Sequence, residues 1–235
     1  TVVGTVIGGG VFFKIGSISH ETGTPSLTLF VWILAGIVSI TSGLTVSEIA
    51  AALPVTGGSI KYIEYTYGKV WGFLFGWAQM LVYFPANIAA LSVVFGQQFA
   101  VLFGFPTKYA TLIALLLALF LMSLNFISTK FSTRMQSAMT ILKAIPIALI
   151  VIFGLFNPAK ISVNLLPLSS GHNVSFWAGL SGGLLAALFA YDGWINVTNL
   201  AGEVKEPEKN LSRAIIIGLS AITLIYVLVN YAFLT

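Results

Sequence analysis

Apolar residues run along this chain in long blocks separated by short polar or charged stretches. A helix needs about 20 mostly apolar residues to cross a bilayer. Seven blocks approach or exceed that length: residues 1–18, 26–53, 70–103, 109–127, 133–156, 176–201 and 214 to the C-terminal end. Backbone N–H and C=O groups are costly to leave unpaired in lipid, so each block is predicted to be helical. The sequence starts and stops inside apolar runs, and it reads as a piece of a longer protein, one truncated transmembrane domain over residues 1–235.

Two blocks are interrupted. The first contains "GTVIGGGVF", residues 4–12, where glycines stand together although each weakens a helix by about 1 kcal/mol relative to alanine. Gly4 and Gly8 have the spacing of a helix-packing seam. Gly9 and Gly10 do not fit that seam, because adjacent residues point about 100° apart around a helix. They are read instead as backbone left open. The sixth block contains "ALFAYDGWINV", residues 187–197, where Asp192 and Gly193 break an apolar helix. An ionisable group at mid-span is a functional candidate by default. Elsewhere, Gly68, Gly72 and Gly76 repeat every four residues and are expected to form a second packing seam.

Interrupted first and sixth spans imply a five-helix repeat, the pattern of secondary transporters with inverted repeats and a central binding site. Residues 1–156 are then the first repeat (helices 1–5), and 157–235 begin the second with helices 6 and 7. At each break, backbone groups lose their intrahelical partners. The restarting half offers N–H groups and a positive dipole end to a carboxylate. The stopping half offers carbonyls to an ammonium group. A ligand with both charges on one carbon is an α-amino acid. The competing reading is a pair of packing kinks with no ligand, which leaves Asp192 unexplained.

Charge sharpens this picture. Hydrophobic residues make up 57% of the chain and charged residues 8%, with mean hydropathy +0.98, whereas soluble domains carry about 25% charged residues. The net charge of +4 comes from scattered cations and is no nucleic-acid signal. The chain has no cysteine, which excludes disulfides, thiolate catalysis and cysteine-bound metals within it. His20 and His172 are too far apart to suggest a metal site, and no cofactor is expected. Lys61, Lys69, Lys130, Arg134, Lys205, Lys209 and Arg213 fall in alternate interhelical stretches, against Lys14, Lys108 and Lys160 on the other side. That asymmetry puts the N-terminus in the cytoplasm. Tyr62, Tyr65 and Tyr67 fit an interfacial aromatic belt. Glu48, before Pro54, is expected to cap or pair at the cytoplasmic face, and Asn87 to make an interhelical hydrogen bond, with a pocket-lining position as its alternative.

Lys143, in "MTILKAIPIAL", sits too deep in span five to snorkel to an interface. An unsatisfied ammonium there costs about 2.5–3.5 kcal/mol on insertion scales. It is therefore expected to face the interior and donate to carbonyls freed by a broken helix, in place of a sodium ion. A lysine that only braces helices is the plainer alternative.

The stretches "GTVIGGGVF", "SEIAAALPVTGGSIKYIEYTYG", "FGW", "FAYDGW" and "GEVKEPEKNLSRAI" occur in the order expected of the amino acid–polyamine–organocation superfamily. The chain resembles its L-amino acid transporter branch, and within that the bacterial serine/threonine or alanine/serine exchangers. The resemblance implies an all-α integral membrane fold, helices 1–7 of a twelve-helix transporter with an inverted five-plus-five repeat and discontinuous helices 1 and 6. It implies that the N–H groups of Gly9 and Gly10 hold the substrate carboxylate. The carbonyls of Val6, Phe189 and Asp192 receive the ammonium, and the Phe189 ring is the outer gate. Lys143 stands in for sodium and links helices. Many relatives have serine at Gly9, so a hydroxyl bond to the carboxylate is missing here. Many eukaryotic relatives have a small residue at Asp192, whose side chain either orients helix 6 or attracts the ammonium. The loop "GFPTK" lacks the cysteine that joins heteromeric animal members to a heavy subunit.

The expectation is a sodium-independent exchanger of small neutral L-amino acids in a bacterial cell membrane, working by alternating access. It is not expected to be an enzyme, and its partners are its L-amino acid substrates and the lipid bilayer. The alternatives are a proton-coupled symporter and, in another class, a membrane-embedded enzyme or scaffold.

Overall fold

The computed structural model describes residues 6–53, 55–127, 129–156, 168, 170–171, 175–204 and 206–234. Every regular element among them is helical: α1 (Gly10–Thr22), α2 (Pro25–Ala52), α3 (Gly58–Tyr67), α4 (Lys69–Phe103), a short 3₁₀ turn (Thr107–Tyr109), α5 (Ala110–Ile127), α6 (Thr129–Phe156), α7 (Phe176–Ala190), a longer 3₁₀ segment (Trp194–Glu203) and α8 (Pro207–Leu234). Among the described residues, six helical stretches are long and apolar enough to cross a membrane. The first predicted span is not one of them. Its unbroken described part, α1, has 13 residues, because the helix is interrupted over residues 7–9.

The helix ends follow from local chemistry. Gly23 closes α1 in the left-handed region, φ 70°, and its N–H reaches the Ser19 carbonyl. Thr24 then caps α2, accepting from Leu27 N–H at 3.4 Å, with Pro25 in the first turn. Ser175 caps α7 in the same way, accepting from Ala178 N–H at 3.3 Å. Within α4 the helix widens to a π turn over Gln79–Tyr83, directly before Pro85, which has no N–H to give the preceding turn.

Tertiary contacts divide the chain into two compact units. One comprises Thr1–Tyr62 with Lys143–Thr235, and the other Ile63–Leu142. In the first, α2 packs along α8 and α1 along α7. Small residues allow the close approach: Gly36 and Gly43 of α2 face Thr223 and Ile215 of α8, while Gly179 and Gly183 of α7 face Thr22 of α1. Trp32, Tyr191 and Tyr226 are the largest fully buried side chains. In the second unit α4 packs on α5, with Gly96 against the Ala110 backbone. Its helices turn many large apolar side chains outward, as a lipid-facing surface does.

Three expectations change. Gly68, Gly72 and Gly76 are not one seam. Gly68 is a turn residue between α3 and α4 with φ 98° and open space around it, while Gly72 packs on Glu64. Tyr62 is not an interfacial side chain; it is buried, and its hydroxyl donates to the Thr198 carbonyl at 3.4 Å. Burial holds this phenol above its ordinary pKa. Tyr65 and Tyr67 are exposed, as the belt requires. Asn87 bonds within its own helix where a bond across helices is expected: its amide donates back to the Tyr83 carbonyl, 3.1 Å away. Lys14, which falls within the first predicted block, lies inside α1. Glu48 is exposed near the end of α2. Gly4, Pro54, Lys160, His172, Lys205 and the predicted repeat boundary at residue 157 lie outside the described residues.

Candidate functional site

The two predicted interruptions are present, and both lie in the first unit. Residues 7–9 leave the helix, and Gly9 caps α1, its carbonyl accepting from Phe12 N–H at 3.0 Å and Phe13 N–H at 3.1 Å. The N–H groups of Gly10 and Val11, at the start of α1, precede the first residue that can find an acceptor within the helix. At the second break α7 stops at Ala190. Tyr191 N–H is shared between the Ala187 and Leu188 carbonyls at 3.2 and 3.1 Å, and Asp192 N–H reaches the Phe189 carbonyl at 3.3 Å. Gly193, at φ 108°, then turns the chain into the 3₁₀ segment, a conformation suited to glycine.

The breaks meet at Gly10. A Cβ on this residue would lie 2.9 Å from both Cα and Cβ of Ala190, so only glycine permits this approach. Gly8, by contrast, has open space: the nearest atom to a Cβ there is the Val6 carbonyl oxygen at 3.8 Å. The packing position is therefore Gly10 and the uncrowded one Gly8, the reverse of what spacing along the sequence predicts. A helical face fixes which residues align, but the crossing partner fixes which of them is pressed.

Tyr226 of α8 joins the breaks. Its hydroxyl lies 3.1 Å from the Val6 carbonyl and 3.0 Å from the Ala190 carbonyl, the last helical residue on the near side of each break. One phenolic proton serves two acceptors, and each carbonyl oxygen keeps a lone pair for another donor. The tyrosine is fixed by neighbours: its ring meets Trp32 and Tyr191 edge to face, with centroids 5.2 and 5.1 Å away, and Tyr191 donates to the Trp32 carbonyl at 3.1 Å.

The predicted site residues fall as follows. Val6 is buried with its carbonyl directed to Tyr226. Gly9 caps α1 and Gly10 begins it. Phe189 lies in the last turn of α7 with its side chain partly exposed, and its carbonyl accepts from Asp192 N–H. Asp192 folds one carboxylate oxygen back onto Gly193 N–H at 2.8 Å, which fixes the turn. Lys143 is half-buried on α6, one helical turn before Ile147, which enters the core of the same unit.

The sequence alone did not single out Tyr226 or Lys14. A tyrosine in an apolar run signals only that its hydroxyl needs a partner if buried, and nothing local says which. Lys14 Nζ lies 4.7 Å from the centroid of the Phe189 ring.

Comparison with known proteins agrees with this architecture. The amino acid permease family model matches residues 1–235. The chain is 43% identical over 236 residues to the serine/threonine exchanger SteT of Bacillus subtilis (strain 168), covering 99% of this chain and 52% of that protein. It is 31% identical over 242 residues to the human large neutral amino acids transporter small subunit 2, covering 100% of this chain and 45% of the relative. It is 28% identical over 238 residues to the mouse b(0,+)-type amino acid transporter 1, covering 100% of this chain and 49% of the relative. The chain spans about half the length of the curated relatives it matches.

Proposed function

The chain belongs to the amino acid permease family, and from that premise we propose a sodium-independent exchanger of small neutral L-amino acids. It works by alternating access in a bacterial cell membrane, with its N-terminus in the cytoplasm, and is a transporter rather than an enzyme. The observation that carries the reading is the meeting of two helix breaks at Gly10 and Ala190, bridged by Tyr226.

The chemistry follows from helix ends. The substrate carboxylate is held at the start of α1 by N–H groups of Gly9 and Gly10, helped by the positive end of the helix dipole. Gly9 supplies no hydroxyl, so the backbone carries this contact by itself. The ammonium group takes the free lone pairs on the carbonyls of Val6 and Phe189, with the Asp192 carbonyl beside them. The Phe189 ring closes the site on one side. Lys143 occupies the place that a sodium ion would need and couples α6 to the broken helices.

Substrate contact at one break changes the partners of the other through Tyr226, which gives the two breaks a common set of hydrogen bonds. The relative named as a serine/threonine exchanger supports small polar substrates. The 235 residues hold no cysteine for a disulfide to a heavy subunit, which suits a protein that works without one.

The test is uptake of labelled L-serine by proteoliposomes of the full chain. Entry that requires internal amino acid, and is indifferent to sodium, supports exchange. Uptake into empty vesicles driven by a pH gradient replaces exchange with proton symport.

A further inference from the structure

The Phe189 ring stands at the end of α7, and 44% of the residue's surface is exposed, so packing alone does not fix its rotamer. Above it, 4.7 Å from the ring centroid, is the Lys14 ammonium. Lys14 lies about one helical turn beyond Gly10, and Phe189 immediately precedes Ala190. The cation–ring contact therefore sits beside the Gly10–Ala190 crossing, between the α1 and α7 segments that flank the breaks. An ammonium has three donors and no acceptor. An aromatic face offers it the negative end of the ring quadrupole, an attraction that grows as water is removed.

We propose that Lys14 is a positioning residue for transport: its ammonium holds the Phe189 ring in one orientation over the meeting point of the two breaks. The proposal rests on reading those breaks as the substrate site and Phe189 as its gate. Lys14 touches no substrate in this scheme. It acts through the ring, fixing the gate in place when the substrate arrives instead of leaving the substrate to order it. The charge is the essential property, so arginine should replace lysine and an apolar side chain of similar length should not.

Two measurements on the full chain test this. The first is L-serine exchange in proteoliposomes, with KM and maximal rate determined separately. Lys14→Met is expected to raise KM roughly three- to tenfold, the range a partly desolvated cation–π contact corresponds to, and Lys14→Arg to restore it. In a Phe189→Leu background, Lys14→Met should add nothing. Equal impairment in Lys14→Arg and Lys14→Met, or a full additional loss in the double variant, overturns the proposal.

The second measurement does not depend on transport. A fluorine label on the ring of residue 189 should give a resonance that shifts and narrows in Lys14→Met and stays in place in Lys14→Arg. An unmoved resonance in Lys14→Met overturns the pairing. If the wild-type protein fails to exchange serine while the Lys14→Met resonance still shifts, the exchange reading falls and the pairing stands.

Discussion

The Tyr226 hydroxyl lies 3.1 Å from the Val6 carbonyl across 220 positions of sequence, and the same hydroxyl reaches Ala190. A single phenolic group thus answers for carbonyls at both helix breaks. Removing it leaves two buried acceptors without this donor while the aromatic packing on Trp32 and Tyr191 stays in place.

Tyr226→Phe is therefore expected to lower stability by about 1–3 kcal/mol, the cost of leaving buried polar groups unsatisfied. Exchange should fall more than stability does, because the two breaks lose their shared partner. Thermal unfolding in detergent and L-serine exchange in vesicles measure the two effects. Exchange at the wild-type rate would show that the bridge is only structural.

Gly10 gives a sharper steric prediction. Gly10→Ala pushes a Cβ into Ala190, and overpacking of this kind costs about 1–3 kcal/mol. Gly16→Ala, six positions along the same helix, meets nothing within 4 Å and should be neutral or slightly stabilising. Melting temperatures of the two variants measure the contrast; equal melting temperatures would mean that α1 and α7 do not cross at Gly10.

These examples also mark what the sequence makes legible. The apolar blocks give the long helices and most of their ends, because length and hydropathy decide what can lie in lipid, but α3 (Gly58–Tyr67) falls between two blocks and is not legible that way. The breaks are readable because glycine runs and an aspartate at mid-span have few other uses. Which glycine is pressed is not readable: Gly10 packs and Gly8 does not because of where α7 crosses, and that is a long-range property. Tyr62 looks like a belt residue by position, yet the 3₁₀ segment near Thr198 covers it. Tyr226 was invisible as a bridge because its partners lie 36 and 220 positions away.

Lys143→Met removes a charge from the middle of α6. Insertion should become easier, since a charged side chain at the bilayer centre costs about 2.5–3.5 kcal/mol on insertion scales. Exchange should fall by about 5- to 150-fold, the span of typical coupling energies between sites. Membrane yield and transport should thus move in opposite directions. A variant that inserts well and transports fully would remove Lys143 from the mechanism.

Asp192 can be assigned by comparing two substitutions. One of its carboxylate oxygens accepts from Gly193 N–H at 2.8 Å, a contact that shapes the turn and needs an acceptor but no charge. Asp192→Asn keeps an acceptor oxygen in the same position, whereas Asp192→Ala removes it. If the side chain orients the break, the asparagine variant should exchange serine at close to the wild-type KM. The alanine variant should then lose stability by about 0.5–1.5 kcal/mol, the usual net contribution of one hydrogen bond. If the charge instead attracts the substrate ammonium, both variants should show the same raised KM for amino acids. The hydrogen bond to Gly193 favours the first outcome, and KM values for the two variants decide between them.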